Sequence, residues 1–229
     1  MYNPNADQSP FNALPPVVVG LAMVIAAVEI VFQLGATGFV GDASAIGWRL
    51  NGLRDYAFFA SVWERMVELG QFPVEHMLRF VTYPFIHGDF LHATFAVVIV
   101  LAIGKAVGEV FSPLAFLAVF FVSAILGALI FAAVTWTDAP LYGAYPGAYG
   151  LIGAFTFLLW VQLAAVGADQ MRAFTLIGFL MAFQLVFGLL FGSDLTWVAD
   201  IAGFAVGFGL SFIVSPGGWA RVLAKLRNR

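Results

Sequence analysis

Cysteine is absent from the 229 residues, and charge is scarce: Asp, Glu, Lys and Arg together make up 10%. Without thiols there are no disulfide frameworks, thiol nucleophiles or cysteine metal sites. Three histidines are too few for a His-rich metal centre, and neither a metal nor a cofactor is expected. Soluble domains carry about 25% charged residues, so a water-soluble enzyme is excluded. A net charge of −3, with only ten Lys and Arg, speaks against a nucleic-acid-binding surface. The first sixteen residues hold Asp7 but no Lys or Arg, so the basic opening of a secretory signal is lacking as well.

What fills the chain instead is apolar bulk, 62% of the residues, with a mean hydropathy of +0.96. A membrane-spanning helix needs about 20 mostly apolar residues. Six segments qualify: Pro16 to Leu34, Leu91 to Val107, Leu114 to Val134, Pro146 to Val166, Ala173 to Phe191 and Trp197 to Val214. None shows the short alternating pattern of a barrel strand. The expectation is an all-α membrane protein, a single domain over residues 1–229, with six spans and a long first loop.

Orientation follows the Lys and Arg of short loops and tails. Arg221, Lys225, Arg227 and Arg229 in the tail, with Lys105 and Arg172, place both termini in the cytoplasm, in an inner or plasma membrane. The loops around Asp138 and Asp194 then fall outside, with the first loop. That loop holds Arg49, Arg54, Arg65 and Arg79, but long loops weigh less in this rule. Trp48, Trp63, Trp136 and Trp197, with Tyr56, Tyr83 and Tyr142, sit near the outer interface, and Trp219 near the inner one. Within the first loop, Asp55 to Gly70 has the spacing of an amphipathic helix, lying on the membrane or packed on the protein. His76 reads as a surface residue of the same loop.

Ionisable residues inside spans are functional candidates by default. Glu29, His92, Lys105 and Asp200 qualify. Glu29 is expected to face the bundle interior and bond a neighbouring helix. Lys105 and Glu109 have the spacing of an i,i+4 pair. Asp200 opens the run Asp200-Ile-Ala-Gly-Phe-Ala-Val-Gly207, in which Gly203 and Gly207 form a small-residue face. Gly147, Gly150 and Gly153 recur along the fourth span. Contact between these two faces brings Asp200 beside Tyr145, within reach of a hydrogen bond. Pro146 fits the first helical turn.

Three stretches, in order, resemble the rhomboid family of intramembrane serine proteases. They are Tyr83-Pro-Phe-Ile-His87-Gly-Asp-Phe-Leu-His92, the glycine-rich Tyr149-Gly-Leu-Ile-Gly-Ala154 and Ile-Ala-Gly-Phe-Ala-Val-Gly. Trp48-Arg49 is similar to a Trp-Arg pair in the family's first loop. The resemblance covers roughly Arg79 to Val214 and implies a rhomboid-like six-helix bundle whose first loop carries interfacial helices. It also implies where the catalytic groups belong. Tyr145 occupies the nucleophilic serine position and Pro146 the glycine after it. Asp200 occupies the position of the basic histidine, and Ala96 that of the oxyanion asparagine. His92, similar to the oxyanion-side histidine, is retained.

These departures predict that no peptide bond is cleaved, because nucleophilic catalysis needs a hydroxyl beside a base. The expected function is an inactive rhomboid-like protein that binds transmembrane helices of partner proteins within the lipid bilayer. It would act as an assembly or stability factor or as a subunit of a larger membrane complex. Trp48, Arg49, His87, His92, Tyr145, Pro146, Gly150, Asp200, Gly203 and Gly207 are its structural or partner-binding candidates. The fifth span adds Phe174, Phe179, Met181, Phe183, Leu185, Phe187 and Phe191, facing lipid or a partner. Two alternatives stay open: an active protease with a degenerate centre, using Tyr145 or Tyr149, and a proton-coupled or lipid-handling protein using Glu29 and Asp200. The spacing of His87 and His92, five residues, excludes a shared helical face and with it a metalloprotease motif.

Overall fold

Proline and small polar caps set where the long helices begin. In the computed structural model, which describes residues 13–135, 137–191 and 195–218, helix α1 (Pro16–Ala36) starts on Pro16. Proline suits that turn because its missing N–H has no intrahelical acceptor there. The first loop then forms α2 (Trp48–Tyr56), α3 (Ala60–Leu69), α4 (Val74–Met77) and α5 (Arg79–Thr82). The Asp89 side chain caps α6 (Phe90–Gly108), α7 (Pro113–Thr135) opens on Pro113, and α8 (Tyr145–Ala165) carries Pro146 in its first turn. Helices α9 (Thr175–Phe191) and α10 (Trp197–Val214) are the last among the described residues.

Among the described residues, five helices, α1, α6, α7, α8 and α10, are long and apolar enough to cross a membrane. Their ends fall within two residues of the expected spans. The fifth expected span begins late, at Thr175, because Gln170–Phe174 is a 3-10 turn capped by Asp169. Helix α9 therefore has 17 residues. Asp7, Trp136, Asp194, Trp219 and the basic tail lie outside the described residues, as do the side chains of Leu185, Phe187 and Phe191.

Helix α8 is the centre of the bundle and is buried without a break from Pro146 to Ala154. A helix that is apolar on all sides belongs in the interior. Its most extensive contact is with α10, as the glycines predict. A Cβ on Gly203 would collide with the backbone of Pro146, and one on Gly207 with the backbone of Gly150. Helix α7 packs against both, and α1 packs on α6.

The first loop is fastened to this bundle. Phe58, Phe80 and Tyr83 pack with Phe131, Ala124 and Leu141. The Tyr83 hydroxyl donates to the Ala124 carbonyl at 2.8 Å. Tyr83 is thus a core residue, not an interfacial one. Phe58 and Leu141 exchange backbone hydrogen bonds of 2.9 and 2.8 Å, which ties the loop before α8 to the first loop. Amphipathic α3 buries Ala60 and Met66 and packs on α7. His76 is half-buried beside α3 and lines an open cleft with Arg65 and Met66. Lys105 and Glu109 form no ion pair. An exposed i,i+4 pair gains only about 0.3–0.5 kcal/mol, too little to hold two long side chains together.

Candidate functional site

Two helix starts face each other across a cavity. Asp89 accepts a hydrogen bond from the His92 N–H at 2.9 Å, an N-cap that fixes the first turn of α6. His92 Nδ1 accepts from the Gly88 N–H at 3.3 Å. The His92 ring stacks on the ring of Tyr145, the first residue of α8, with centroids 4.8 Å apart and planes 13° apart. Tyr142 meets His92 edge-on at 5.7 Å. The hydroxyl of Tyr145 donates to the His92 carbonyl at 3.1 Å.

Asp200, in the first turn of α10, forms the opposite wall and is only 5% exposed. It accepts a hydrogen bond from Gln184 Nε2 of α9 at 3.0 Å. His92, Tyr145 and Asp200 thus line one cavity of about 510 Å³ with Asp89, Tyr142 and Gln184. The sequence brings Tyr145 and Asp200 to the same place, as expected, but the phenol's single proton is directed at the His92 carbonyl instead of at Asp200. A main-chain carbonyl is a hydrogen-bond acceptor and not a general base, so this contact does not activate the hydroxyl. Ala96, one turn beyond His92, is fully buried and offers no side-chain donor. Pro146 lines the cavity while its backbone supports Gly203, and Gly150 supports Gly207.

A second polar cluster lies beside the first. Glu29 of α1 is 4% exposed and is gripped by the two terminal guanidinium nitrogens of Arg49, at 2.7 and 2.9 Å. Arg49 also donates to the His87 carbonyl at 2.7 Å, and Gln33 donates to Glu29 at 2.8 Å. Trp48, its neighbour, closes over Gly35, where a Cβ would come within 2.8 Å of the indole. His87 is buried, and its Nε2 accepts from the Ala144 N–H at 3.2 Å. Burial, reinforced by the nearby His92, pulls the His87 imidazole down to about 4, so at neutral pH it is uncharged. His87 and His92 rings meet edge to face at 5.2 Å. His87 therefore links the first loop, through Arg49, to the residue that precedes Tyr145.

Sequence reasoning named Glu29 and Arg49 separately and did not join them. It also missed Gln184, Asp89 and Tyr142 as cavity residues. Gln184 carried a signal, being the one strongly polar side chain inside the fifth apolar segment. Asp89 carried another, as an Asp three residues before His92 at a helix start.

No curated protein matches the sequence. A family model described as Rhomboid domain matches residues 74–217, from the start of α4 to just past α10. That match takes in the cavity, both helix starts that face it and the α8–α10 contact behind it, well over half of the chain. The protein belongs to the rhomboid family.

Proposed function

We propose that this protein is a catalytically inactive rhomboid that binds transmembrane segments of other membrane proteins, as an assembly or stability factor or as a subunit of a membrane complex. One observation carries the reading. Tyr145, at the position the family resemblance gives to the nucleophile, lays its ring on His92 and gives its proton to the His92 carbonyl. A nucleophile needs its proton taken by a base within hydrogen-bond reach. Asp200, at the position of the base, is instead engaged with Gln184.

The rest of the frame is consistent with holding a helix. Helix α9, at 17 residues, is within the range that spans a bilayer and makes a sixth crossing. Both termini then lie in the cytoplasm, with the basic tail, in an inner or plasma membrane. Two first-loop arginines that weaken the charge bias have internal duties: Arg49 on Glu29, and Arg79 on the carbonyls of Ala57 and Arg54 at 2.7 and 3.0 Å. Phe179, Phe183, Val186 and Leu190 form an exposed apolar stripe along α9 at helical spacing.

The test is incubation of the purified protein in detergent or vesicles with a model transmembrane substrate, alongside Tyr145→Phe and Asp200→Asn. No cleavage product is expected from any of the three. Cleavage by the wild type that either substitution abolishes would overturn the proposal.

A further inference from the structure

The loop that leads into α8 is tied down by its main chain. Leu141 exchanges backbone hydrogen bonds with Phe58, Gly143 gives its N–H to the Tyr83 carbonyl at 3.0 Å, and Ala144 gives its N–H to His87 Nε2 at 3.2 Å. Of these acceptors, only the imidazole can take up a proton near neutral pH. Because Nε2 receives an N–H, it bears no hydrogen of its own, and the neutral ring holds its proton on Nδ1. A second proton can go only to Nε2. It would then point at the Ala144 N–H, donor against donor, and the tie would be lost.

The surroundings hold the ring neutral while it stays in place. His87 is 1% exposed. His92 of α6 and Arg49 of α2 face it and repel a positive charge. The Phe85 main chain and Glu29 of α1 attract one, but the Glu29 carboxylate is already met by two nitrogens of Arg49 and by Gln33. Asp89, two residues along, accepts from the His92 N–H. Tyr142 and Tyr145, on either side of the Gly143-Ala144 pair, both line the cavity.

We propose that His87 is an acid-operated latch: protonation at Nε2 frees the Ala144 N–H, loosens the loop before α8 and opens the cavity wall formed by Tyr142 and Tyr145. The held ring titrates at about 4, whereas a released ring returns towards 6.5. Release therefore takes up a proton and is favoured as pH falls below 6.5. The latch acts on access to the cavity and does not depend on what the protein binds.

The test is hydrogen exchange read by mass spectrometry on the full chain in nanodiscs, at pH 7 and about pH 4.5, with each rate divided by the chemical exchange rate at that pH. Amides of residues 141–145 are expected to lose at least about ten-fold in protection at the lower pH, while those of α7 keep theirs. His87→Gln offers an amide oxygen to Ala144 and takes no proton, so its loop should be equally protected at both pH values. His92→Gln should keep the response. Four results would overturn the latch: no loss in the wild type, a loss that α7 shares, a loss that survives in His87→Gln, or one that disappears in His92→Gln.

Discussion

Three donors surround the carboxylate of Glu29: two guanidinium nitrogens of Arg49 and the amide of Gln33. In a buried position such a pair contributes little beyond a well-packed apolar pair, but losing one partner strands the other. Arg49→Ala is expected to lower stability in detergent by about 3–5 kcal/mol. Arg49→Lys keeps the charge but loses the two-pronged grip, so its loss should be intermediate. Thermal or denaturant unfolding decides the matter, and an Arg49→Ala protein as stable as wild type would refute the clamp. His87 sets the pH response at the same scale. Its folded value, about 4, lies below the ordinary 6.5, so the folded state favours the neutral ring. Its contribution is therefore full above pH 6.5 and declines as pH falls towards 4, by about 3 kcal/mol in all. His87→Gln should flatten that part of the profile, and an unchanged slope would show that His87 is not its source.

Among the elements, the α8–α10 pair depends most on small side chains. Gly207 lies against the backbone of Gly150, which cannot move aside as a flexible side chain can. Gly207→Ala is expected to cost about 1–3 kcal/mol through overpacking. Gly209, on the same helix, has nothing within 4 Å of an added Cβ, and Gly209→Ala should be neutral or stabilising by up to about 1 kcal/mol. Equal melting temperatures for the two variants would contradict the close contact. This contact was legible in the sequence because Gly203 and Gly207 share a helical face with nothing else to explain them. The long spans were legible for a similar reason: length and apolarity alone demand a helix in lipid. The start of α9 was not, because Ala173 and Phe174, which end the 3-10 turn at Gln170–Phe174, are as apolar as the helix that follows them. Tyr83 was misplaced because a tyrosine near a span end looks interfacial, and only the fold reveals the Ala124 carbonyl that satisfies its hydroxyl.

For the whole molecule, the first loop, the α6 start and the α8 start act as one assembly. Arg49 holds Glu29 and the His87 carbonyl, His87 receives the Ala144 N–H, and the next residue is Tyr145. The sequence motifs marked most members of this chain of contacts, since each departs from plain apolar composition. They did not reveal the pairing of Glu29 with Arg49, which are 20 residues apart in the sequence and meet only once α2 folds back on α1. Nor did they reveal that Tyr145 would turn to a backbone carbonyl, because carbonyl positions leave no trace in residue identity. On the proposed function, this rhomboid frame holds helices without cutting them. The most direct measurement is a tagged purification from native membranes in mild detergent, with quantitative mass spectrometry of whatever accompanies the protein. The prediction is an intact membrane protein in near-stoichiometric amount. Recovery of the protein with no membrane partner, or with fragments cut within a transmembrane segment, would contradict it.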